Sequence, residues 1–204
     1  MIVSDKERQA PLKIEEAEPT HLARYKFAGE YISKRMKVLD APCGSGYGTK
    51  FLALKGAEVY GVDINEGAIG HAKEFFSDEL GHFYVGDIEN MRNIFNEDKF
   101  FDAVVSFEGI EHLKNPDSFL SEAERLLKPD GIFMISTPRK PHGSPFHIKE
   151  YSLDEFKDLL SGRFAIKEIY GQIYTEFHDL FKEKIDPNAY QKFNFIAVCS
   201  PKKI

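Results

Sequence analysis

The sequence predicts an α/β protein, a mostly parallel sheet with helices on both faces. Three observations predict it. Short β-branched and aliphatic runs alternate with stretches of helical periodicity between residues 36 and 137. One run, Val38-Leu39-Asp40, passes directly into Ala41-Pro42-Cys43-Gly44-Ser45-Gly46-Tyr47-Gly48, a glycine turn that opens a helical pattern over 49–55. Another, Phe101-Asp102-Ala103-Val104-Val105-Ser106-Phe107, is nearly all apolar beyond its opening pair, as a parallel strand buried on both faces should be.

The elements follow in chain order. Residues 1–18 are charged and expected to be loosely ordered, and Thr20 is the candidate N-cap of a helix with Leu22, Tyr25, Ala28 and Ile32 on one face. The first strand, 36–39, ends on Asp40. The glycines after it allow positive φ and let a ligand approach the main chain. The helix start behind them offers free N–H groups to an anion. A dinucleotide fingerprint requires G-x-G-x-x-G, and Thr49 stands where its third glycine belongs. Asp40 would also repel a pyrophosphate, whereas it suits a ligand carrying an ammonium group. The second strand, 57–63, ends on Asp63, an acid placed to accept hydrogen bonds from ribose hydroxyls, and a helix over 66–76 follows. The third strand, 82–88, closes on Gly86-Asp87-Ile88. After the fourth, Leu126-Leu127-Lys128-Pro129-Asp130-Gly131 reads as a helix end and tight turn before a fifth strand reaching Thr137. Ser152-Leu153-Asp154-Glu155 is a capping box for a helix to Leu160, and the last strands are 164–170 and 193–199.

The pattern D-x-x-x-G-x-G-x-G, with four further motifs in order across 38–137, resembles the class I S-adenosylmethionine-dependent methyltransferases, in particular their small-molecule, ubiquinone-type group. The resemblance implies a Rossmann-like sheet of seven strands whose last runs antiparallel, in one domain. Residues 1–34 would be an extension and helix over the cofactor mouth, 35–138 the cofactor-binding core, and 139–204 a substrate loop and C-terminal strands. It implies S-adenosyl-L-methionine as cofactor. Asp40, Gly44 and Gly46 would meet its methionine end, Asp63 its ribose, Asp87 its adenine amino group and Ile88 the ring. Tyr25, Ile64 and Phe107 would be further cofactor contacts.

Composition agrees. A chain of 204 residues, 42% hydrophobic and 29% charged, is an ordinary globular domain. No apolar run approaches the roughly 20 residues of a membrane span, and Ser4-Asp5-Lys6-Glu7-Arg8-Gln9 is not a signal segment. Cys43 and Cys199 form no disulfide framework or metal spacing, so a cytoplasmic protein is expected. The net charge of −6 argues against nucleic acid as partner. Basic residues do gather in a loop over 139–149, at the carboxyl edge of the sheet, where Arg139 and His147 are candidate contacts to an anionic group of a small-molecule acceptor. The connection 171–192 is rich in aromatics (Tyr174, Phe177, Phe181, Tyr190) and reads as a substrate cover or a dimer contact.

The chemistry asks little of acid–base groups, because a sulfonium methyl is already electrophilic and the protein mainly aligns the acceptor and excludes water. An oxygen acceptor must still lose its proton. His112, in Phe107-Glu108-Gly109-Ile110-Glu111-His112-Leu113, is the candidate base, with a histidine bonded to nearby backbone as the competing reading. Glu108 is a candidate acceptor contact. Glu108, Glu111, His112 and His147 also resemble the metal-binding residues of small-RNA 2′-O-methyltransferases, although E-x-x-E-H occurs in metal-free relatives too. The expectation is no metal, with Glu111 facing solvent or backbone N–H groups. The expected function is methyl transfer to an oxygen of a sugar or nucleotide-sugar in polysaccharide biosynthesis. The alternatives are a metal-dependent RNA 2′-O-methyltransferase and a non-catalytic cofactor-binding partner protein.

Overall fold

The computed structural model describes residues 9–190 and 192–202. The charged residues before Gln9 lie outside the described residues. From the first helix, α1 (Pro19–Ala28), the chain alternates strands and helices: β1 (Lys37–Asp40), α2 (Tyr47–Ala53), β2 (Glu58–Asp63), α3 (Glu66–Phe75), β3 (Gly81–Val85) and β4 (Phe101–Ser106). There follow α4 (Pro116–Leu126), β5 (Leu127–Pro138), α5 (Leu153–Ser161), β6 (Phe164–Ile173), β7 (Glu176–Asp179) and β8 (Asn194–Pro201).

All eight strands form one sheet in the order β3-β2-β1-β4-β5-β8-β6-β7. The pairs from β3 to β5 are parallel, and β8 runs antiparallel between β5 and β6. One strand exceeds the expected seven. It is β7, antiparallel to β6, at the sheet edge inside the aromatic-rich connection. Its sequence, Glu176-Phe177-His178-Asp179, carries no run of apolar residues, so an edge strand paired on one side left little signal.

Successive strand residues point to opposite faces, and here both faces are covered. Leu39, Val104 and Phe133 belong to one buried cluster, completed by Phe119, Leu120, Ala123 and Leu126 of α4. Their neighbours Val38, Val105 and Met134 belong to the other, closed by Leu52 of α2, Ile69 and Ala72 of α3 and Phe27 of α1. That double burial is why β4 reads as a continuous apolar run. The turn expected at Lys128-Pro129-Asp130-Gly131 is instead a bulge inside β5: Phe101 pairs with Leu127 and Ala103 already with Ile132.

Two expectations near the N-terminus are corrected. Thr20 is not the cap of α1. Pro19 occupies the first turn, where its missing N–H is no loss, and the Glu18 carboxylate caps the helix by accepting from the His21 N–H at 3.1 Å. Nor are residues 9–18 loose. Gln9 donates to the Tyr47 hydroxyl at 3.1 Å, and the His71 ring nitrogen Nε2 lies 2.8 Å from the Pro11 carbonyl. Among the described residues, no helix is long and apolar enough to cross a membrane. The capping box at Ser152 and Glu155 forms as expected.

Candidate active site

Strand order reverses between β1 and β4, and ligands in open α/β sheets sit at the carboxyl ends of the strands flanking such a point. The glycine turn occupies it. Gly44 (φ +54°) and Gly46 (φ +89°) both take left-handed backbone, yet they serve different ends. A Cβ on Gly46 would lie 2.5 Å from the Ala72 Cβ and 2.8 Å from the Phe83 ring, so Gly46 seats the turn against α3 and β3. A Cβ on Gly44 would meet nothing within 4 Å. Among the described residues, open space therefore lies over Gly44, and the buried Ser45 hydroxyl beside it has no hydrogen-bond partner.

Asp63 ends β2 next to that space. Its carboxylate accepts from the Gly44 N–H at 3.0 Å and the Asn65 N–H at 2.9 Å, which ties the tip of β2 to the turn. Ile64 follows it with 67% of its surface exposed, an apolar face with nothing above it. Asp87 is exposed beyond β3 and accepts from the Glu89 N–H at 2.9 Å. Ile88, next in sequence, is instead packed in the core with Leu39, Val62 and Met91.

Asp40 departs from the expectation of a direct ligand contact. It is fully buried, and its carboxylate accepts from the Thr49 hydroxyl at 2.6 Å and the Tyr25 hydroxyl at 3.1 Å. Burial raises its pKa to about 7, against the lowering effect of those two hydrogen bonds. Asp40 thus fastens α1 to the glycine turn. Tyr25 is the other half of the fastening, with its ring edge-on to Tyr47 at 5.7 Å and to Phe107 at 5.3 Å. A Cβ on Gly48 would overlap that ring, so the third glycine is the seat of Tyr25.

A second, polar space begins at Arg24, one residue before Tyr25, near Glu108, one residue after Phe107. A cavity of about 180 Å³ opens there, lined by Thr20, His21 and Arg24 of α1, with Gln172 and Tyr174 across from them. Glu18, His142, Lys192 and Asn194 complete the wall. Arg24 is 2% exposed, and its Nη1 donates to the Gln172 Oε1 at 2.8 Å. The Gln172 amide nitrogen donates in turn to the backbone carbonyls of Thr20, at 2.8 Å, and Tyr174, at 2.6 Å. Glu108, also in left-handed backbone (φ +53°), receives the Ser136 hydroxyl on Oε1 at 3.1 Å. Its Oε2 lies 3.7 Å from the Arg24 Nη2. Burial would raise the Glu108 pKa, but Arg24, His21 and the Ser136 bond together hold it below the ordinary value. Burial and the Arg24 charge push His21 down, toward its neutral form.

The remaining candidates sit behind this wall. His112 does not line the cavity: its Nδ1 is 3.2 Å from the Phe146 carbonyl, and its ring lies edge-on to His147 at 5.1 Å. His147 stacks on His142 at 4.8 Å, so only His142 of the basic loop reaches the cavity. Arg139 is turned to its own surroundings, donating to the Lys140 carbonyl and the Asn188 side chain, both at 3.0 Å. Of the two placements expected for Glu111, solvent is ruled out: it is 1% exposed, with Thr137 donating to its Oε2 at 3.1 Å and its own backbone N–H also bonding the carboxylate. Burial and the Glu108 charge push its pKa well up. Among the described residues its Oε1 has no hydrogen-bond partner, and the ligand atoms of Glu111, His112 and His147 lie within 4.8 Å of one another. Glu108 does not join that group, so the four residues of the metal resemblance are divided.

Sequence reasoning missed Arg24, His21 and Gln172. Helical spacing did hold a signal for the first two, because positions 21, 24, 25 and 28 share a face with the selected Tyr25.

The switch-point turn, the acid ending β2 and the space over Gly44 define a protein that holds a nucleoside ligand at the carboxyl edge of its sheet. Residues 32–191 match a family model described as a methyltransferase domain, and the chain belongs to that family, the class I S-adenosylmethionine-dependent methyltransferases. A probable S-adenosylmethionine-dependent methyltransferase of Mycolicibacterium smegmatis is 32% identical over 144 residues, covering 66% of this chain and 54% of the relative. A ubiquinone biosynthesis O-methyltransferase of Dechloromonas aromatica is 34% identical over 119 residues, covering 55% and 49%. The chain spans about half the length of these curated relatives. Among solved structures, the 1,6-didemethyltoxoflavin-N1-methyltransferase of Burkholderia thailandensis, with S-adenosylhomocysteine bound, superposes with a TM-score of 0.70. The match covers 93% of this chain and 81% of that one at 16% identity, a likeness of fold. The cofactor of the family is S-adenosylmethionine. The space over Gly44, the orphaned Ser45 hydroxyl and the exposed Ile64 fit such a ligand.

Proposed function

We propose that this chain transfers the methyl group of S-adenosylmethionine to an oxygen of a small hydroxyl-rich acceptor, a sugar or nucleotide-sugar used in polysaccharide synthesis. The observation that carries the reading is the 180 Å³ cavity, walled by hydroxyl, amide, imidazole and charged groups, whose Arg24 is the chain neighbour of Tyr25. The cofactor supplies an electrophilic methyl group. Asp63 and Asp87 hold its ribose and adenine, Ile64 flanks the ring, and the turn at Gly44 receives the methionine end. Tyr25 and Phe107 close the boundary between the two spaces and keep water from the reacting pair. His21, on the cavity wall and held neutral, takes the acceptor proton. His112 does not line that cavity and is bonded to the Phe146 carbonyl instead. The test is methyl transfer from labelled cofactor to a panel of glycosides and nucleotide-sugars, with the product linkage read by NMR. An O-methyl ether is expected. Methylation only at nitrogen or carbon would overturn the oxygen assignment, and cofactor binding without transfer to any acceptor would favour a non-catalytic partner protein.

A second reading is favoured by one observation, the unpartnered Glu111 Oε1 beside His112 and His147. A divalent ion there would displace the Glu111 proton and could grip acceptor oxygens. The first reading expects activity to survive a strong chelator. Loss on chelation with rescue by manganese would establish the second.

A further inference from the structure

We propose that Arg24 and Glu108 clamp two neighbouring hydroxyls of an uncharged acceptor, and that the cavity discriminates against a carboxylate or phosphate at that position. The inference rests on the reading of this cavity as the acceptor site.

Arg24 carries the argument. With Nη1 committed to Gln172, its Nε and Nη2 remain, both buried and, among the described residues, both without a hydrogen-bond partner. These two nitrogens lie along one edge of the planar guanidinium and present parallel N–H groups. Such an edge matches two oxygens side by side. Buried donors of a fixed fork are costly to leave unmade, and Gln172, whose own amide bonds both α1 and the β6–β7 turn, prevents the fork from swinging away. The arrangement is preorganised for a ligand.

Glu108 decides which pair of oxygens fits. Its ionised Oε2 stands 3.7 Å from Nη2, too far to satisfy that donor but close enough to share the space in front of it. A carboxylate or phosphate docked on the fork would face this charge across a poorly solvated gap, and the repulsion would offset the attraction of Arg24. A hydroxyl meets both demands, accepting from the guanidinium and donating to the carboxylate.

The rest of the wall agrees. Of its two cations, Arg24 and Lys192, the first is faced at 3.7 Å by Glu108, which is not itself on the wall, and the wall also carries Glu18, already engaged in capping α1. His21 adds no fixed charge. The cavity thus has no excess of positive charge to draw an anion, which departs from the anionic acceptor expected of the basic loop. Tyr174, 72% exposed at the rim, offers a flat apolar surface for the carbon face of a ring whose hydroxyls turn inward.

The test is calorimetry of the chain saturated with S-adenosylhomocysteine. The probes are methyl glucoside, methyl mannoside and methyl galactoside, the matching methyl uronates, and the 6-phosphates. At least one neutral glycoside should bind about tenfold or more tightly than its uronate and phosphate. Arg24→Lys, which keeps the charge and loses the fork, should abolish that preference and weaken the neutral ligand about tenfold, with S-adenosylhomocysteine affinity unchanged. If Arg24→Lys melts at assay temperature, Glu108→Gln, which retains a partner for Ser136, should show the same loss. Tighter binding of a uronate or phosphate, or no neutral glycoside bound at its solubility limit, would overturn the clamp. Methyl transfer to the oxygen of an anionic acceptor would do the same while leaving the O-methyltransferase reading intact. Cofactor binding with transfer to no hydroxyl would remove that reading instead.

Discussion

The two halves of the site are built differently. On the cofactor side, each polar group lies at the tip of one of three consecutive parallel strands, and its contacts are short in sequence. The Gly44–Asp63 bond spans 19 residues and the Tyr25–Asp40 bond 15. On the acceptor side, Arg24 meets Gln172 across 148 residues, and Glu108 meets Ser136 across 28. The first half is a property of motifs, whereas the second exists only once the sheet has closed around β8. A cofactor shared by a family can be held by the former, and a private acceptor is naturally read by the latter.

Substitutions can break that contrast, and the largest effect belongs to the acceptor side. His21→Ala should lower turnover about 10²–10⁴-fold while sparing cofactor affinity. His112→Ala should lose rate only as far as it loses thermal stability. Measured turnover and melting curves for both variants decide the point, and the opposite pattern would return the base to His112. Next comes the turn. Gly46→Ala forces a side chain into left-handed backbone against Ala72 and Phe83, and should cost about 2–5 kcal/mol of stability in denaturant unfolding. Gly44→Ala should cost less stability, because its Cβ meets open space, but should weaken cofactor binding. Equal stability losses would mean that the two glycines are not divided in role.

Asp63→Ala should weaken S-adenosylhomocysteine about ten- to a hundredfold by calorimetry, through loss of a charged hydrogen-bond partner worth about 1.5–3 kcal/mol. Unchanged affinity would remove Asp63 from the ribose. A further test is a pH dependence. The folded-state pKa of Asp40, about 7, stands above its unfolded value near 3.8. The folded chain therefore binds the extra proton between those values, and this contribution to stability is full below pH 4 and lost as pH rises toward 7. Asp40→Asn should flatten that part of the profile. An unchanged slope would show that Asp40 is ionised throughout.

How much was legible follows from the same contrast. Strand β4 could be read because burial on both faces makes it a nearly continuous apolar run, and the turn because glycine marks backbone that other residues avoid. The capping box of α5 is equally local. Glu111 could not be placed from sequence, since nothing in Glu111-His112-Leu113 reveals that the 139–150 loop folds over it, with the Ile148 and Lys149 N–H groups on its carbonyl at 2.8 and 3.1 Å. The burial of Asp40 depends on Tyr25 arriving from another helix. Gln172, in a run of glycine, isoleucine and tyrosine, looks like any strand polar residue until α1 packs across it.

The amide of Gln172 has a consequence for the order in which the chain matures. It bonds Thr20 across 152 residues, and β8, which follows it, is the strand inserted between β5 and β6. During synthesis α1 emerges 152 residues ahead of its partner, and β5 and β6 have no shared neighbour until β8 arrives. Such non-local closure is the slow part of folding. A nascent or C-terminally shortened chain therefore displays the glycine turn and the acid of β2 before it has a wall for an acceptor. Competence to hold the methyl donor precedes competence to use it.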